Sequence, residues 1–61
     1  MAQITEKELS ALGDLMTMEQ TLYNKCLYMA SNTTDTALAD CYTQLAAHHQ
    51  RHFDELYGNL K

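Results

Sequence analysis

A chain of 61 residues with 4 Lys and Arg against 8 Asp and Glu, a net charge of −4, is one small acidic domain, which disfavours nucleic acid or an anionic membrane as its main partner and favours a cation. The absence of proline and the presence of only 2 glycines leave little to break it into strands and turns, so the fold class reads as all-α. No apolar run approaches the roughly 20 residues of a membrane span, and Met1 to Glu8 lacks the basic start and apolar core of a signal peptide, so a cytoplasmic protein is expected.

The first helix announces its start at Thr5 Glu6 Lys7 Glu8. This spacing fits a capping box, in which the threonine hydroxyl and the glutamate three residues on each satisfy a backbone N–H, with Ile4 and Leu9 as a flanking hydrophobic staple. Leu9, Leu12, Met16, Glu19, Tyr23, Cys26 and Ala30 then recur at alternating steps of 3 and 4, with Leu15, Leu22 and Met29 widening the stripe on one side. One continuous helix is predicted from about residue 6 to about residue 31. Ser31 Asn32 Thr33 Thr34 Asp35 follow, all residues whose side chains compete for backbone hydrogen bonds, and Asp35 or Thr34 can cap the next element. Beyond this turn of about residues 32–35, Leu38, Tyr42, Leu45, His49, His52, Leu56 and Asn59 repeat the heptad step, reinforced by Phe53 and Leu60, until Gly58 weakens the end. The second helix is predicted over about residues 36–57.

Two long helices joined by a short turn form an antiparallel hairpin, and no other element of the chain covers either stripe. Domains this short bury only about 60% of their unfolded surface and commonly add a disulfide, a metal or a second subunit. The economical solution is a symmetric homodimer of two hairpins, packed stripe to stripe as a four-helix bundle. A hairpin paired with a different protein and a larger oligomer are the rivals.

Polar groups interrupt both stripes where they should be most apolar. On a wheel of about 100° per residue, Glu19 lies within roughly 10° of the centre of the first stripe. His49 lies almost at the centre of the second, His52 roughly 60° to one side, and His48 roughly 100° away at the boundary with solvent. With the turn centred between Thr33 and Thr34, Glu19 and His49 are nearly equidistant from it and share one level. An ionisable group in such a position is costly unless paired or bound.

Two histidines three residues apart on one face, with a carboxylate opposite, form a chelating arrangement for a divalent transition metal, and two-fold symmetry would double it. Glu19, His49 and His52 are the candidate ligands, with His48 at the margin. The same residues can instead form a polar layer in which the glutamate accepts a hydrogen bond from a histidine and fixes register, or stand nearer the surface if the stripe is drawn too wide.

In ferritin-like di-metal bundles a Glu on one helix and an ExxH pair on the next face inward. Met18 Glu19 Gln20, Tyr23 and then Leu45 through His52 resemble that half-bundle. The chain as a whole also resembles the small two-helix proteins related to bacterial spore coat protein F, which share the Glu–Gln of helix 1, the Asp opening helix 2 and a terminal HxxH. The resemblance implies that Glu19 matches the first ferritin-like ligand and His52 the histidine of ExxH, while His49 stands where a bridging Glu would be. It further implies a structural protein able to join a spore-coat-like layer.

The missing carboxylate has a consequence in charge. Glu19 and a symmetry mate would supply only two negative charges to two divalent ions, which disfavours ferroxidase or oxygen-activating chemistry and suits zinc, copper or nickel better than iron. Nothing resembles a nucleophile with its base, a phosphate loop or a dinucleotide fingerprint, so no catalysis is assigned. Three classes remain, in this order: a structural or assembly protein, a ferritin-like metal-binding protein, and a di-metal oxidoreductase.

Cys26 and Cys41 are also equidistant from the turn and on their stripes. They read as small buried apolar residues in a reducing compartment, with a disulfide across the hairpin as the alternative. Met16 and Met29 read as core fillers and Met18 as an edge residue; Tyr23 and Tyr42 belong to the core, and Tyr28 points outward.

Overall fold

Thr5 opens helix α1, Glu6–Asn32, through both halves of the capping box. The Glu8 amide donates to Thr5 Oγ1 at 3.1 Å and the Thr5 amide donates to Glu8 Oε1 at 3.1 Å. Hydrogen bonding of the carboxyl itself, first to the Thr5 hydroxyl and then to the Thr5 amide, holds the Glu8 carboxyl below its usual value. At the other end Ser31 Oγ and Asn32 Nδ2 both donate to the Tyr28 carbonyl, at 2.9 and 2.7 Å, which carries the helix one residue beyond its expected end. Thr33 is extended, and Asp35 caps helix α2, Thr36–Gly58, by accepting from the Leu38 amide at 3.1 Å. The Asn59 amide donates to the Leu56 carbonyl at 3.1 Å and closes the second helix.

The computed structural model describes residues 4–60, and within them the chain is an all-α antiparallel hairpin. Residues 1–3, which open the segment tested for a signal peptide, and Lys61 lie outside the described residues. The hairpin measures 47 × 16 × 10 Å. Its smallest extent is the diameter of one helix, so both broad faces are surface. Neither described helix is long and apolar enough to cross a membrane.

The helices meet along one seam. Leu12, Met16, Glu19, Tyr23, Cys26 and Ala30 face Ala39, Tyr42, Ala46, His49, Phe53 and Leu56, all half-buried or buried. Only Leu12, 9% exposed, and Ala46, 2% exposed, count as buried among the described residues. On α2 this seam runs one residue away from the expected line. Leu38, Leu45 and His52 were expected beneath the partner helix, whereas Ala39 and Ala46, together with Phe53 from the expected stripe, hold that place and the first three are exposed. Small residues at the crossing let the backbones approach, and a stripe wider than one helix can cover must leave one margin open. Two further expectations are corrected: Cys41 falls on the side of α2 that this offset opens, and Met29 on the margin of the α1 stripe that one helix leaves uncovered. Met29 and Cys41 are exposed instead of packed, while Tyr23 and Tyr42 are half-buried and Tyr28 is exposed.

Gly13 sits inside α1 with ordinary helical backbone, and a Cβ built on it meets no atom within 4 Å. Glycine here costs conformational entropy without serving a close approach. Gly13→Ala is therefore expected to stabilise the hairpin by about 0.5–1 kcal/mol. Thermal unfolding followed by circular dichroism tests this, and an unchanged or lowered midpoint would contradict it.

Candidate metal centre

Glu19 is the central residue of the 27-residue α1, and it projects across the seam to α2. Its Oε1 accepts a hydrogen bond from His49 Nδ1 at 2.7 Å. A carboxylate only accepts, so the proton of that bond belongs to the ring nitrogen. Its second oxygen, Oε2, lies 3.5 Å from His52 Nδ1, an ion-pair distance too long for a strong hydrogen bond. The helical step of three residues places His52 on the same side of α2 as His49, one turn nearer the open end of the hairpin. The imidazole centroids are 6.0 Å apart and nearly perpendicular, at 77°. One ligand atom from each of Glu19, His49 and His52 falls within 4.8 Å of the others.

Exposure differs among the three. The side chains of Glu19 and His49 are 21% and 22% exposed, whereas His52 is 50% exposed. The cluster thus starts inside the seam and opens onto one broad face. His52 is a rim residue and not the core residue expected of it, for the reason already given: Phe53, half-buried, takes the seam position on that turn. His48 stays outside the group. Its Nδ1 accepts from the Arg51 guanidinium at 3.1 Å on the exposed side of α2. Among the described residues no other set of three or more His, Cys, Asp or Glu comes close enough to hold an ion.

The hydrogen bond from His49 is the main reason that the Glu19 carboxyl is held below its ordinary value of 4.5, helped by the charge of the two imidazoles and opposed by partial burial. A carboxyl whose folded value lies below its unfolded one binds fewer protons in the folded state. Its contribution is fully present above the ordinary value near 4.5 and is lost as pH falls through the lowered folded value. Urea unfolding between about pH 6 and pH 3 is expected to show a falling midpoint whose slope is shallower in Glu19→Gln. Equal slopes in the two proteins would contradict the assignment; Glu8, lowered by its cap, supplies the part that remains in both.

The cysteines do not extend the site. Cys26, half-buried, and Cys41, exposed, are free thiols. Met18 and Met29 are exposed on α1, and Met16 is half-buried in the seam. Comparison of the chain with protein-family models, curated proteins and solved structures finds no match. The residues themselves carry the functional reading.

Proposed function

We propose that this hairpin is a metal-binding protein that takes a divalent transition ion between Glu19, His49 and His52. The observation that carries the reading is the convergence of one donor atom from each of these residues within 4.8 Å. Tetrahedral coordination with bonds of about 2.0–2.1 Å separates neighbouring donors by roughly 3.3 Å. The Glu19 Oε1–His49 Nδ1 and Glu19 Oε2–His52 Nδ1 distances, 2.7 and 3.5 Å, lie on either side of that value, and the three donors would draw in from within 4.8 Å of one another to reach it. An ion bound at His49 Nδ1 would take the place of the proton now shared with Glu19, which makes binding a proton-releasing event.

Donor chemistry selects among ions. Two neutral imidazoles and one carboxylate form the nitrogen-rich set that suits zinc first, then copper or nickel. A single negative charge leaves a divalent ion net positive and an oxidised iron more so, which argues against ferroxidase or other di-metal redox chemistry. With three protein donors the remaining coordination position goes to water or another molecule, and no residue beside the cluster is assigned a catalytic role.

A second reading, a small structural or assembly subunit, is favoured by the exposed apolar margin of the hairpin. Likeness to two-helix proteins related to spore coat protein F supports this reading and a place in a coat-like layer, and likeness to half of a ferritin-like bundle supports the metal. The two readings are compatible, since an assembly subunit can hold an ion. Elemental analysis of purified, tag-free protein, with a Glu19→Ala/His49→Ala control, tests the metal reading. Stoichiometric metal in the parent and none in the control is expected; no metal, or metal unaffected by the substitutions, would overturn it.

A further inference from the structure

The two flanks of the seam are chemically unlike. Relative to the seam, Leu15, Met18, Leu22 and Met29 lie to one side of α1, and Leu38, Leu45 and His52 lie to one side of α2. In an antiparallel pair these two sides coincide, so they form one continuous broad face. All are exposed except the half-buried Leu22. The opposite flank carries Gln20 and Asn24, which bond each other at 3.5 Å, and Gln50 and Asp54, which bond at 3.1 Å, all in contact with water. That flank also exposes Leu9, Leu27 and Tyr57, so the two faces differ in degree: the first carries the larger run of exposed apolar side chains.

Resting on the metal reading above, we infer that a second copy of this chain docks on the apolar face, and that the Glu19, His49 and His52 clusters of both copies meet there, coupling metal binding to dimerisation. Area supports a partner of this size. The chain exposes 4829 Å², against about 4,000 Å² for a compact monomer of 7.0 kDa. The surplus of about 800 Å² is what one partner contributes to a standard interface. The nearly empty core supports it as well: with only Leu12 and Ala46 buried among the described residues, a lone hairpin has little to hold its helices together.

Symmetry decides what meets at the interface. Glu19 is the midpoint of α1, and His49 is two residues from Ala47, the midpoint of α2, so the cluster sits at half-height. A two-fold axis along the helices and one across them both bring such a central layer opposite its mate. A different partner would have to supply a polar group at the level of His52, or leave the outer nitrogen of that imidazole, whose Nδ1 already faces Glu19 at 3.5 Å, without one. A second copy supplies it by symmetry, contributing its own His52. The half-exposed rim of the metal site then becomes the middle of a shared one, with two carboxylates and four imidazoles.

Coupling of this kind is reciprocal: if the ion strengthens the dimer by some factor, dimerisation strengthens ion binding by a matching factor. The test is sedimentation and light scattering at graded protein concentrations, with zinc or with a chelator, on the parent, Leu45→Glu and the opposite-flank control Gln50→Glu. Expected are a dimer whose dissociation constant falls about tenfold or more with zinc, a monomeric Leu45→Glu that binds zinc more weakly, and a Gln50→Glu that behaves as the parent. The parent arm involves no substitution, so it decides even if Leu45→Glu fails to fold. A zinc-loaded monomer at tens of micromolar, roughly, overturns the inference and leaves the metal reading intact. A dimer indifferent to zinc overturns the coupling, and if it also takes up no zinc the metal reading falls with it.

Discussion

Replacing His49 with alanine is expected to weaken zinc binding by about 100-fold or more, while replacing His48, its neighbour in sequence, leaves affinity unchanged. Losing a residue that merely orients a ligand typically costs 10–100-fold, roughly, and losing a ligand costs more. His49 is the better placed of the two imidazoles, since it is 22% exposed and already bonded to Glu19 at 2.7 Å. His48 is engaged with Arg51 at 3.1 Å on the outer side of α2. Glu19→Gln is expected to act like His49→Ala on metal, because it removes the only negative charge among the donors while keeping nearly the same shape. Competition against a chromophoric chelator at fixed pH measures all three variants. Equal losses in His48→Ala and His49→Ala would place the ion elsewhere.

The second large effect concerns stability. Ala46→Glu is expected to unfold the hairpin at 25 °C, whereas Ala47→Glu, one residue along, is expected to be nearly neutral. Ala46 is 2% exposed on the seam and Ala47 is exposed. A side chain of glutamate size at position 46 both forces the helices apart and carries an unpaired charge into their contact, effects that together reach about 4 kcal/mol or more. A 61-residue chain has a total stability of only about 3–9 kcal/mol at the usual share per residue. Far-UV circular dichroism with thermal unfolding is the check. An Ala46→Glu protein that unfolds within about 5 °C of the parent would contradict the seam.

Much of the hairpin was legible because its signals are local. Thr5 and Glu8 are three residues apart and bond each other, and Asp35 bonds the Leu38 amide three residues on, so no distant contact is needed to recognise either cap. Glu19 and His49 were legible for a related reason: a short turn ties height along one helix to height along the other, and both lie at the centre of their stripes. The seam of α2 was less legible. Leu38, Leu45 and His52 are as regularly spaced as Ala39, Ala46 and Phe53, and hydrophobicity alone prefers the leucines. What selects the alanines is close approach of the α1 backbone, a property of two helices together. That single offset accounts for the exposure of His52 and Cys41, while Met29 lies on the margin of the wide α1 stripe that one helix leaves uncovered. The offset also turns a closed polar layer into a site with an opening, the outcome expected where a stripe is drawn too wide.

The three histidines have different places in the hairpin, and that difference can be read residue by residue. Zinc titrated into isotope-labelled protein while the imidazole resonances are followed by NMR is the most direct measurement. His49 and His52 are expected to shift together and saturate at a fixed stoichiometry while His48 stays in place, and Glu19→Gln is expected to abolish the response. Shifts confined to His48, equal shifts of all three at superstoichiometric zinc, or no shift of His49 would contradict the site.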